Sequence, residues 1–262
     1  MDQASKNGSK NGIWIAHRGL NTQAPENTAK AFRLAGENGF WGCETDVWET
    51  RHAEDGSYDV VLNHDDSFRR VFDVDLKIKS LTAEEIRSDS RLSEVCFFQE
   101  YLDICKQYGM VPIIELKDKR MSNACLYRVL DMVYRMDGGT TLKKARLISF
   151  HAKVLAKALR YCRNAYGINP TSAYLISYSN RGLGLAAFKR ARRNGFTGVS
   201  VNKDILKDKY YIFCKRHNLL VNTWVYRKTE DDERILEEHI KKYKPATLTV
   251  DGLVFDDFSH MT

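Results

Sequence analysis

Short apolar segments rich in β-branched residues recur along this chain, and a helical pattern follows most of them. The eight segments with strand character are 13–16, 42–47, 111–116, 146–150, 173–177, 198–201, 220–224 and 249–254. The helical patterns cover 29–38, 98–108, 122–136, 152–164, 184–194, 205–217 and 230–243. Alternating strands and helices indicate parallel strands joined by right-handed crossovers. Eight such units predict a closed (β/α)8 TIM barrel, with an open doubly wound sheet as the alternative.

The chain length of 262 residues suits one α/β barrel. Hydrophobic residues make up 43% and charged residues 29%, which excludes collagen-like and wholly disordered chains. Residues 1–12 are polar and lack the apolar stretch of a signal peptide, so we expect a flexible tail there. Residues 13–262 are predicted to form a single barrel domain. No segment approaches the roughly 18 apolar residues of a membrane span.

One segment interrupts the alternation of strands and helices. Between residues 48 and 81, the polar turn Glu54-Asp55-Gly56-Ser57 is flanked by alternating residues. This pattern predicts a hairpin that pairs 48–52 with 58–63, followed by an irregular segment over 65–79. We therefore expect a small insertion after strand 2, on the face of the barrel where TIM-barrel enzymes carry their catalytic groups.

Charge and cysteine content restrict the partners and the compartment. The net charge of +7 attracts anions, although the basic clusters at predicted helix ends also suit the helix dipole and solubility. No recognised nucleic-acid motif is present, so a nucleic-acid partner is not expected. The six cysteines form no CxxC pair and lie mostly in apolar segments. They indicate core residues in a reducing compartment, and hence a cytoplasmic protein.

Acidic residues lie inside predicted barrel strands, which is unusual for apolar segments. Glu44 and Asp46 are two residues apart, so they share one face of strand 2, and Glu115 and Lys117 do the same on the next barrel strand. Neighbouring carboxylates in a barrel interior are costly unless a cation or another partner lies between them. Three carboxylates form an all-oxygen site that suits Mg²⁺ or Ca²⁺. Internal salt bridges to Arg18 and Lys117 are the alternative.

Two histidines follow apolar segments on the same side of the predicted barrel. His17 ends the first strand just before Arg18, and His64 follows the second strand of the predicted hairpin. One imidazole can act as a general base and the other as a general acid. Together with a divalent cation, and with Arg18 and Lys117 to neutralise negative charge, they describe a site for a phosphate ester.

The order and spacing of these motifs resemble the glycerophosphodiester phosphodiesterase family over residues 13–117. The motifs are His17-Arg18-Gly19, Ala24-Pro25-Glu26-Asn27-Thr28, Glu44-Thr45-Asp46-Val47, Asp55-Gly56, His64-Asp65 and Glu115-Leu116-Lys117. The C-terminal half resembles the family more weakly, through Ser149-Phe150, Thr223-Trp224-Val225 and Asp251-Gly252-Leu253. The resemblance implies a TIM barrel that binds one divalent cation. It also implies hydrolysis of glycerophosphodiesters to sn-glycerol 3-phosphate and an alcohol.

The resemblance also implies roles for individual residues. The residues that resemble metal ligands are Glu44, Asp46 and Glu115. His17 and His64 resemble the acid/base pair, while the residues that resemble substrate contacts are Arg18 and Lys117 at the phosphate and Phe150 and Trp224 around the glycerol. Glu26 and Asn27 are implied to support the site from the start of helix 1. Asn27 has the alternative role of a simple helix cap.

Three departures from the family pattern affect the pocket more than the chemistry. They are Cys96-Phe97-Phe98-Gln99 before a helix, Arg227 after strand 7 and the terminal Val254-Phe255-Asp256-Asp257-Phe258. A lysophospholipase D or a phospholipase C-like enzyme acting on lipid phosphodiesters remains an alternative, because such enzymes resemble this layout. Its apolar entrance would come from Phe68, Val71, Phe72, Phe97 and Phe98, which otherwise form a small core of the insertion.

A binding protein for phosphate ligands without catalysis is an alternative from another class. Such a protein needs no acid/base pair, so the two histidines favour an enzyme. The expected partner is a small-molecule glycerophosphodiester. The sequence leaves open the alcohol, the choice between Mg²⁺ and Ca²⁺, and the oligomeric state.

Overall fold

The computed structural model describes residues 14–178 and 184–253. The strands within these residues are β1 Trp14–Ala16, β2 Gly42–Glu49, β3 Val60–Leu62, β4 Val111–Leu116, β5 Arg146–Ser149, β6 Thr171–Ile176, β7 Gly198–Asn202, β8 Leu220–Tyr226 and β9 Thr247–Val250. The α-helices are α1 Ala29–Glu37, α2 Arg69–Phe72, α3 Ala83–Ser88, α4 Phe98–Tyr108, α5 Asn123–Arg135, α6 Thr140–Lys144, α7 Ala152–Tyr166, α8 Leu185–Arg193, α9 Asp208–Arg216 and α10 Glu230–Tyr243. Short 3-10 helices cover Ile78–Ser80, Ser90–Leu92 and Lys203–Ile205.

Eight of these strands form a closed parallel barrel. The strand order is β1-β9-β8-β7-β6-β5-β4-β2, and β1 also pairs with β2, which closes the sheet. Helices connect successive barrel strands, so the predicted TIM barrel is confirmed. Some predicted strand bounds differ from those in the structure. For example, the strand expected at 249–254 covers Thr247–Val250. The predicted tail 1–12 and the strand ends at Ile13 and Val254 lie outside the described residues.

The barrel interior is apolar on one side and polar on the other. Ile113, Ile148 and Leu175 belong to an apolar cluster inside the barrel, whereas the main core lies between the strands and the helices. On the opposite side, the Asn222 Nδ2 donates hydrogen bonds to Ser200 Oγ at 2.7 Å and Thr249 Oγ1 at 3.2 Å. These short polar side chains fill less space than leucine or isoleucine, so a cavity opens beneath the carboxyl ends of the strands.

A tight loop connects β1 to α1 and fixes the residues that follow β1. Leu20 N donates a hydrogen bond to Ala31 O at 2.9 Å, which draws the loop against the helix. At Gly19, which has a φ of 83°, a Cβ atom would lie 2.6 Å from the carbonyl carbon of Ala31. Only glycine combines this backbone conformation with such a close approach. The loop therefore holds His17 and Arg18 rigidly at the barrel mouth.

The segment between β2 and α4 has a small core of its own. β3 pairs antiparallel with the end of β2, as the predicted hairpin requires, with Trp48 opposite Val61. The buried residues of this second core are Val61, Phe68, Val74, Ile78, Ile86, Leu92 and Val95. Phe72 and Phe97 pack against it, while Phe98 belongs to the main core. The small core therefore continues past residue 81, where the insertion was expected to end. The division of the chain into a tail and one barrel domain stays a prediction.

Two further observations concern the cysteines and the helices. All six cysteines are free and buried, as the apolar segments around them suggest. Among the residues described above, no helix is both long and apolar enough to cross a bilayer.

Candidate active site

Three carboxylates from neighbouring strands meet at the barrel mouth. Glu44 and Asp46 lie on β2, and Asp46 is opposite Glu115 of β4 in the parallel register. Each of the three offers an oxygen atom, and these atoms lie within 4.8 Å of one another. Asp46 Oδ1 and Glu115 Oε1 are buried, and the polar partner that both share in the described part of the chain is the ammonium of Lys117. Three buried, crowded carboxylates with so little compensating charge fit a hard divalent cation such as Mg²⁺ or Ca²⁺.

The protonation of these carboxylates reflects their crowding. Burial raises the pKa of Glu44 well above its ordinary value, and the Asp46 charge raises it further. Burial and Asp46 also raise the pKa of Glu115. Burial alone would raise the pKa of Asp46, but Lys117 and Arg18 outweigh it and lower this pKa to about 2. Additional positive charge at this point would therefore allow all three carboxylates to ionise together.

Lys117 and Arg18 supply part of the positive charge in the site. Lys117 Nζ lies 3.2 Å from Asp46 Oδ1 and 3.3 Å from Glu115 Oε1. Arg18 Nε lies 3.3 Å from Asp46 Oδ2, and the Arg18 backbone N–H donates a hydrogen bond to Glu44 Oε2 at 3.1 Å. The salt bridges considered from the sequence are thus present beside the candidate cation site, and the two interpretations are compatible.

Asn27 supports the carboxylates and is not a helix cap. Asn27 Nδ2 donates to Asp46 Oδ2 at 3.0 Å, and Asn27 Oδ1 accepts from Thr45 Oγ1 at 2.8 Å. The alternative that Asn27 only caps α1 is wrong, because the Thr28 side chain accepts the hydrogen bond from Ala31 N. Asn27 has a φ of 56°, a left-handed conformation that asparagine tolerates better than most residues. This conformation turns its side chain toward β2.

His17 is held by an acidic residue from the last strand. His17 Nδ1 lies 2.7 Å from Asp251 Oδ1, just beyond β9. Asp251 also accepts hydrogen bonds from Asn21 Nδ2 at 2.7 Å and Arg227 Nε at 3.0 Å. Burial would raise the pKa of Asp251, but the hydrogen bond and charge of His17 outweigh burial and lower it. The charge of Arg227 acts in the same direction as His17. An ionised Asp251 assigns the proton to Nδ1 of His17 and leaves Nε2 available.

His64 has a similar carboxylate partner within the loop after β3. His64 Nδ1 lies 2.7 Å from Asp65 Oδ1. Burial and the nearby Lys117 lower the pKa of His64, although Asp46 and Asp65 act in the opposite direction. The imidazole is therefore neutral near pH 7, with Nδ1 facing Asp65.

Arg70 of α2 connects the two sides of the site. It donates two hydrogen bonds to Glu26, at 2.6 and 3.0 Å, and a third to Asp65 Oδ2 at 2.6 Å. Glu26 also accepts from Arg18 Nη1 at 3.0 Å. These contacts link Arg18 to Asp65, the partner of His64. The segment between β2 and α4 is thereby attached to the barrel mouth.

Both histidines, the four residues expected to contact substrate and two of the three expected metal ligands line one cavity of about 150 Å³, and Asp46 completes the carboxylate cluster next to it. Its lining includes His17, His64, Arg18, Lys117, Glu44, Glu115, Phe150 and Trp224. Phe150 and Trp224 meet edge to face, with ring centroids 6.3 Å apart. Trp224 Nε1 is buried and donates no hydrogen bond to the described residues, so it is available to an oxygen atom of a ligand. The cavity thus combines an apolar wall with acidic, basic and hydrogen-bonding groups.

Sequence reasoning did not assign roles to Asp251, Asn21, Asp65 or Arg70. Asp251 and Asp65 enter the sequence analysis only as parts of motifs that carry the resemblance. The position of Asp251 directly after the last barrel strand was a usable signal, because strand ends converge at the mouth of a TIM barrel. Arg70 lies in an irregular segment without periodicity, so no pattern of residues predicts its contacts.

The model of the glycerophosphoryl diester phosphodiesterase family matches residues 17–260. This chain belongs to that family. Glycerophosphodiester phosphodiesterase 1 from Homo sapiens is 44% identical over 73 residues, which are 28% of this chain and 20% of the human protein. The corresponding protein from Rattus norvegicus is 42% identical over a stretch of the same length. The matched stretch therefore spans about a fifth of these relatives.

Solved structures of family members share the fold. A glycerophosphodiester phosphodiesterase from Parabacteroides distasonis is 24% identical, with a TM-score of 0.70 and coverage of 91% of this chain and 92% of that one. An enzyme with the same name from Thermotoga maritima is 22% identical, with a TM-score of 0.67 and coverage of 92% and 95%. A phosphodiesterase from Oleispira antarctica, in complex with its product sn-glycerol-3-phosphate, is 21% identical, with a TM-score of 0.67 and coverage of 91% and 92%.

Proposed function

We propose that this protein is a metal-dependent phosphodiesterase that hydrolyses glycerophosphodiesters to sn-glycerol 3-phosphate and an alcohol. The observation that carries the proposal is the convergence of two carboxylate-paired histidines and a cluster of three buried carboxylates at the barrel mouth. A binder of phosphate ligands needs cations and hydrogen-bond donors but no acid/base pair. The membership of the family and the product bound by the Oleispira antarctica relative support the same reaction.

The histidines would transfer the protons of the reaction. His17, with Nδ1 held by Asp251, presents Nε2 as a base toward the nucleophile. His64, with Nδ1 held by Asp65, would take the opposite role in its protonated form, which the Asp65 carboxylate and the negative charge of a bound phosphodiester favour, and its Nε2–H would protonate the departing alcohol. The family resemblance supports this assignment of roles. The nucleophile is either water or the 2-hydroxyl of the glycerol. With the hydroxyl as nucleophile, the reaction would pass through a cyclic phosphate.

The other polar groups would bind and orient the phosphodiester. Glu44, Asp46 and Glu115 would hold one divalent cation, which polarises phosphoryl oxygens and offsets developing negative charge when bound. Arg18 and Lys117 border the same space and would neutralise the remaining phosphate charge. Mg²⁺ and Ca²⁺ both suit this oxygen donor set.

The apolar wall would receive the glycerol carbons. Phe150 and Trp224 offer ring surfaces, and Trp224 Nε1 offers a donor for a hydroxyl oxygen. These contacts distinguish the glycerol side of the substrate from the leaving alcohol.

A lysophospholipase D or a phospholipase C-like activity on lipid phosphodiesters is the second candidate. It needs an apolar entrance for an acyl chain, but Phe68 is fully buried, and Phe72 and Phe97 pack on the same small core. We therefore place the water-soluble glycerophosphodiester first. The test is phosphodiester cleavage of glycerophosphocholine and of lysophosphatidylcholine by the same preparation, with His64→Ala as the inactive control. Faster cleavage of lysophosphatidylcholine would reverse the order of the two candidates.

A cytoplasmic location is part of the proposal. Six free cysteines fit a reducing compartment, where thiols stay reduced. In such a location the products would enter glycerol and lipid metabolism.

A further inference from the structure

The barrel has a strongly basic face opposite the proposed active site. In a (β/α)8 barrel the helices run antiparallel to the strands, so helix ends and strand starts lie together at the face away from the mouth. Each helix from α4 to α10 has at least one lysine or arginine in its last turn. The densest part comes from α8 and α9, which contribute Arg190, Arg192, Arg193, Lys215 and Arg216. We call these helix ends and the strand starts between them the basal face.

Most cations of the basal face lack a carboxylate partner. Lys241 pairs with Glu237 and Lys242 pairs with Asp208, but within 14–178 and 184–253 the last-turn cations of α8 and α9 form no ion pair. A helix dipole favours positive charge at a carboxyl terminus, which explains the sign of these residues. It does not compensate the mutual repulsion of three arginines within four positions of α8. Such repulsion is relieved when the face meets an anionic surface.

Apolar groups lie among the cations. Leu220, at the start of β8, has 47% of its surface exposed. Trp41, just before β2, is partly exposed, and the guanidinium of Arg146 lies 4.5 Å from its ring centroid. Cations that surround apolar side chains match the interface of a bilayer, where headgroup charge and hydrocarbon are both available. Nucleic-acid phosphates would use only the cations, and a double helix contacts a stripe rather than the ends of seven helices.

We propose that the basal face docks on the surface of a bilayer that contains anionic phospholipids. The docking is electrostatic and peripheral, with Leu220 and Trp41 at the headgroup boundary. In this orientation the barrel mouth points away from the bilayer and into solution. A water-soluble phosphodiester then reaches the site freely, whereas a lysophospholipid embedded in the same bilayer does not. The docking surface itself is independent of the proposed enzymatic activity.

Vesicle cosedimentation of the full chain tests the docking. The probes are vesicles of phosphatidylcholine alone and of phosphatidylcholine mixed with phosphatidylserine. We expect binding only to the mixed vesicles, and release as salt is added. The triple variant Arg192→Gln, Arg193→Gln and Lys215→Gln should bind on the order of 100-fold more weakly. Each cation near an anionic membrane strengthens binding by about fivefold, and the three effects multiply. Glutamine keeps the helix propensity of these exposed positions.

A matched triple variant removes the same charge from the opposite side of the molecule. Lys77→Gln, Lys119→Gln and Lys153→Gln alter exposed lysines that follow β3, follow β4 and begin α7, all at the mouth end of the barrel. This variant should bind mixed vesicles like the parent chain. Equal weakening by both triple variants would show a dependence on net charge alone and would overturn the assignment to the basal face. An absence of parent-chain binding to mixed vesicles would overturn the docking itself, as would binding of RNA or DNA in its place.

Orientation on the vesicle can be measured separately, because all native cysteines are buried. An environment-sensitive fluorophore on Asn164→Cys, near the end of α7, should shift its emission when mixed vesicles are added. The same fluorophore on Ser57→Cys, in the hairpin turn on the mouth side, should not shift. A shift at Ser57→Cys without one at Asn164→Cys would place the mouth against the bilayer and contradict the proposal.

Discussion

His17 and Asp251 are separated by 234 residues in the chain, yet His17 Nδ1 lies 2.7 Å from Asp251 Oδ1. Closure of the barrel brings them together, because β1 pairs directly with β9. One residue ends the first strand and the other follows the last. The contact fixes the ring of His17 and the nitrogen that carries its proton, so the geometry of a proposed catalytic residue depends on the complete barrel.

Replacing Asp251 with asparagine should therefore impair proton transfer by His17. We expect Asp251→Asn to fold and to lower kcat by about 10²-fold or more, because the neutral amide neither selects the tautomer nor stabilises the protonated imidazole. The matched control is Arg227→Gln, which removes an exposed partner of the same carboxylate. A kcat for Asp251→Asn within threefold of the Arg227→Gln value would contradict this role.

Adjacent arginines provide the sharpest test of the segment after β3. Arg70 links Glu26 and Asp65, whereas Arg69 forms one exposed ion pair with Asp75 at 3.5 Å. Arg70→Gln should lower kcat roughly tenfold or more, which is the usual effect of removing a group that orients site residues. Arg69→Gln should leave kcat unchanged. The comparison uses steady-state kinetics, and equal effects of the two substitutions would remove the positioning role from Arg70.

The loop after β1 predicts different costs for two glycine substitutions. Gly19 and Gly39 both have a positive φ, but a Cβ at Gly39 would meet nothing within 4 Å. Gly39→Ala should cost about 1 kcal/mol of unfolding free energy from the left-handed backbone alone. Gly19→Ala should cost about 3 kcal/mol, since the clash with Ala31 adds an overpacking penalty. Urea unfolding of both variants measures the difference, and equal losses would show that the loop has room for a Cβ.

A buried histidine outside the cavity predicts how stability changes with pH. His239 is buried, and Nδ1 lies 2.8 Å from the hydroxyl of Tyr226. Burial lowers its pKa below the ordinary 6.5, so the unfolded chain binds a proton at a higher pH than the folded protein. This group should leave stability unchanged above about pH 6.5 and reduce it as pH falls through the folded pKa.

The variant His239→Gln isolates that contribution. The unfolding free energy of the variant should decline less steeply than that of the parent chain as pH falls below about 6.5. Parallel pH profiles for the two proteins would show that His239 titrates alike in the folded and unfolded chain.

Much of the barrel was predictable because its strands are buried on both faces and read as short apolar runs. The carboxylates were also predictable, since Glu44, Asp46 and Glu115 interrupt such runs with period two. The contacts of Asp251 and Arg70 were not, because they depend on barrel closure and on an irregular segment. Asn27 shows a further limit, because its position suits a helix cap equally well and only the structure reveals that Thr28 takes that role.

The small core after β3 illustrates a second reason for incomplete prediction. Phe68 lies just before α2, Ile78 in a 3-10 helix and Ile86 in α3, so no single period marks them as one buried cluster. Their burial leaves less apolar surface at the mouth, which supports the proposed preference for a water-soluble substrate.

The three buried carboxylates are proposed to hold a cation that phosphodiester hydrolysis requires. The most direct test of this requirement is release of sn-glycerol 3-phosphate from glycerophosphocholine, followed with a coupled dehydrogenase after chelation and after addition of Mg²⁺ or Ca²⁺. We predict that chelated protein is inactive and that at least one of the two cations restores product release. Full activity in the chelated protein, or no activity with either cation in protein shown to be folded, would contradict the account.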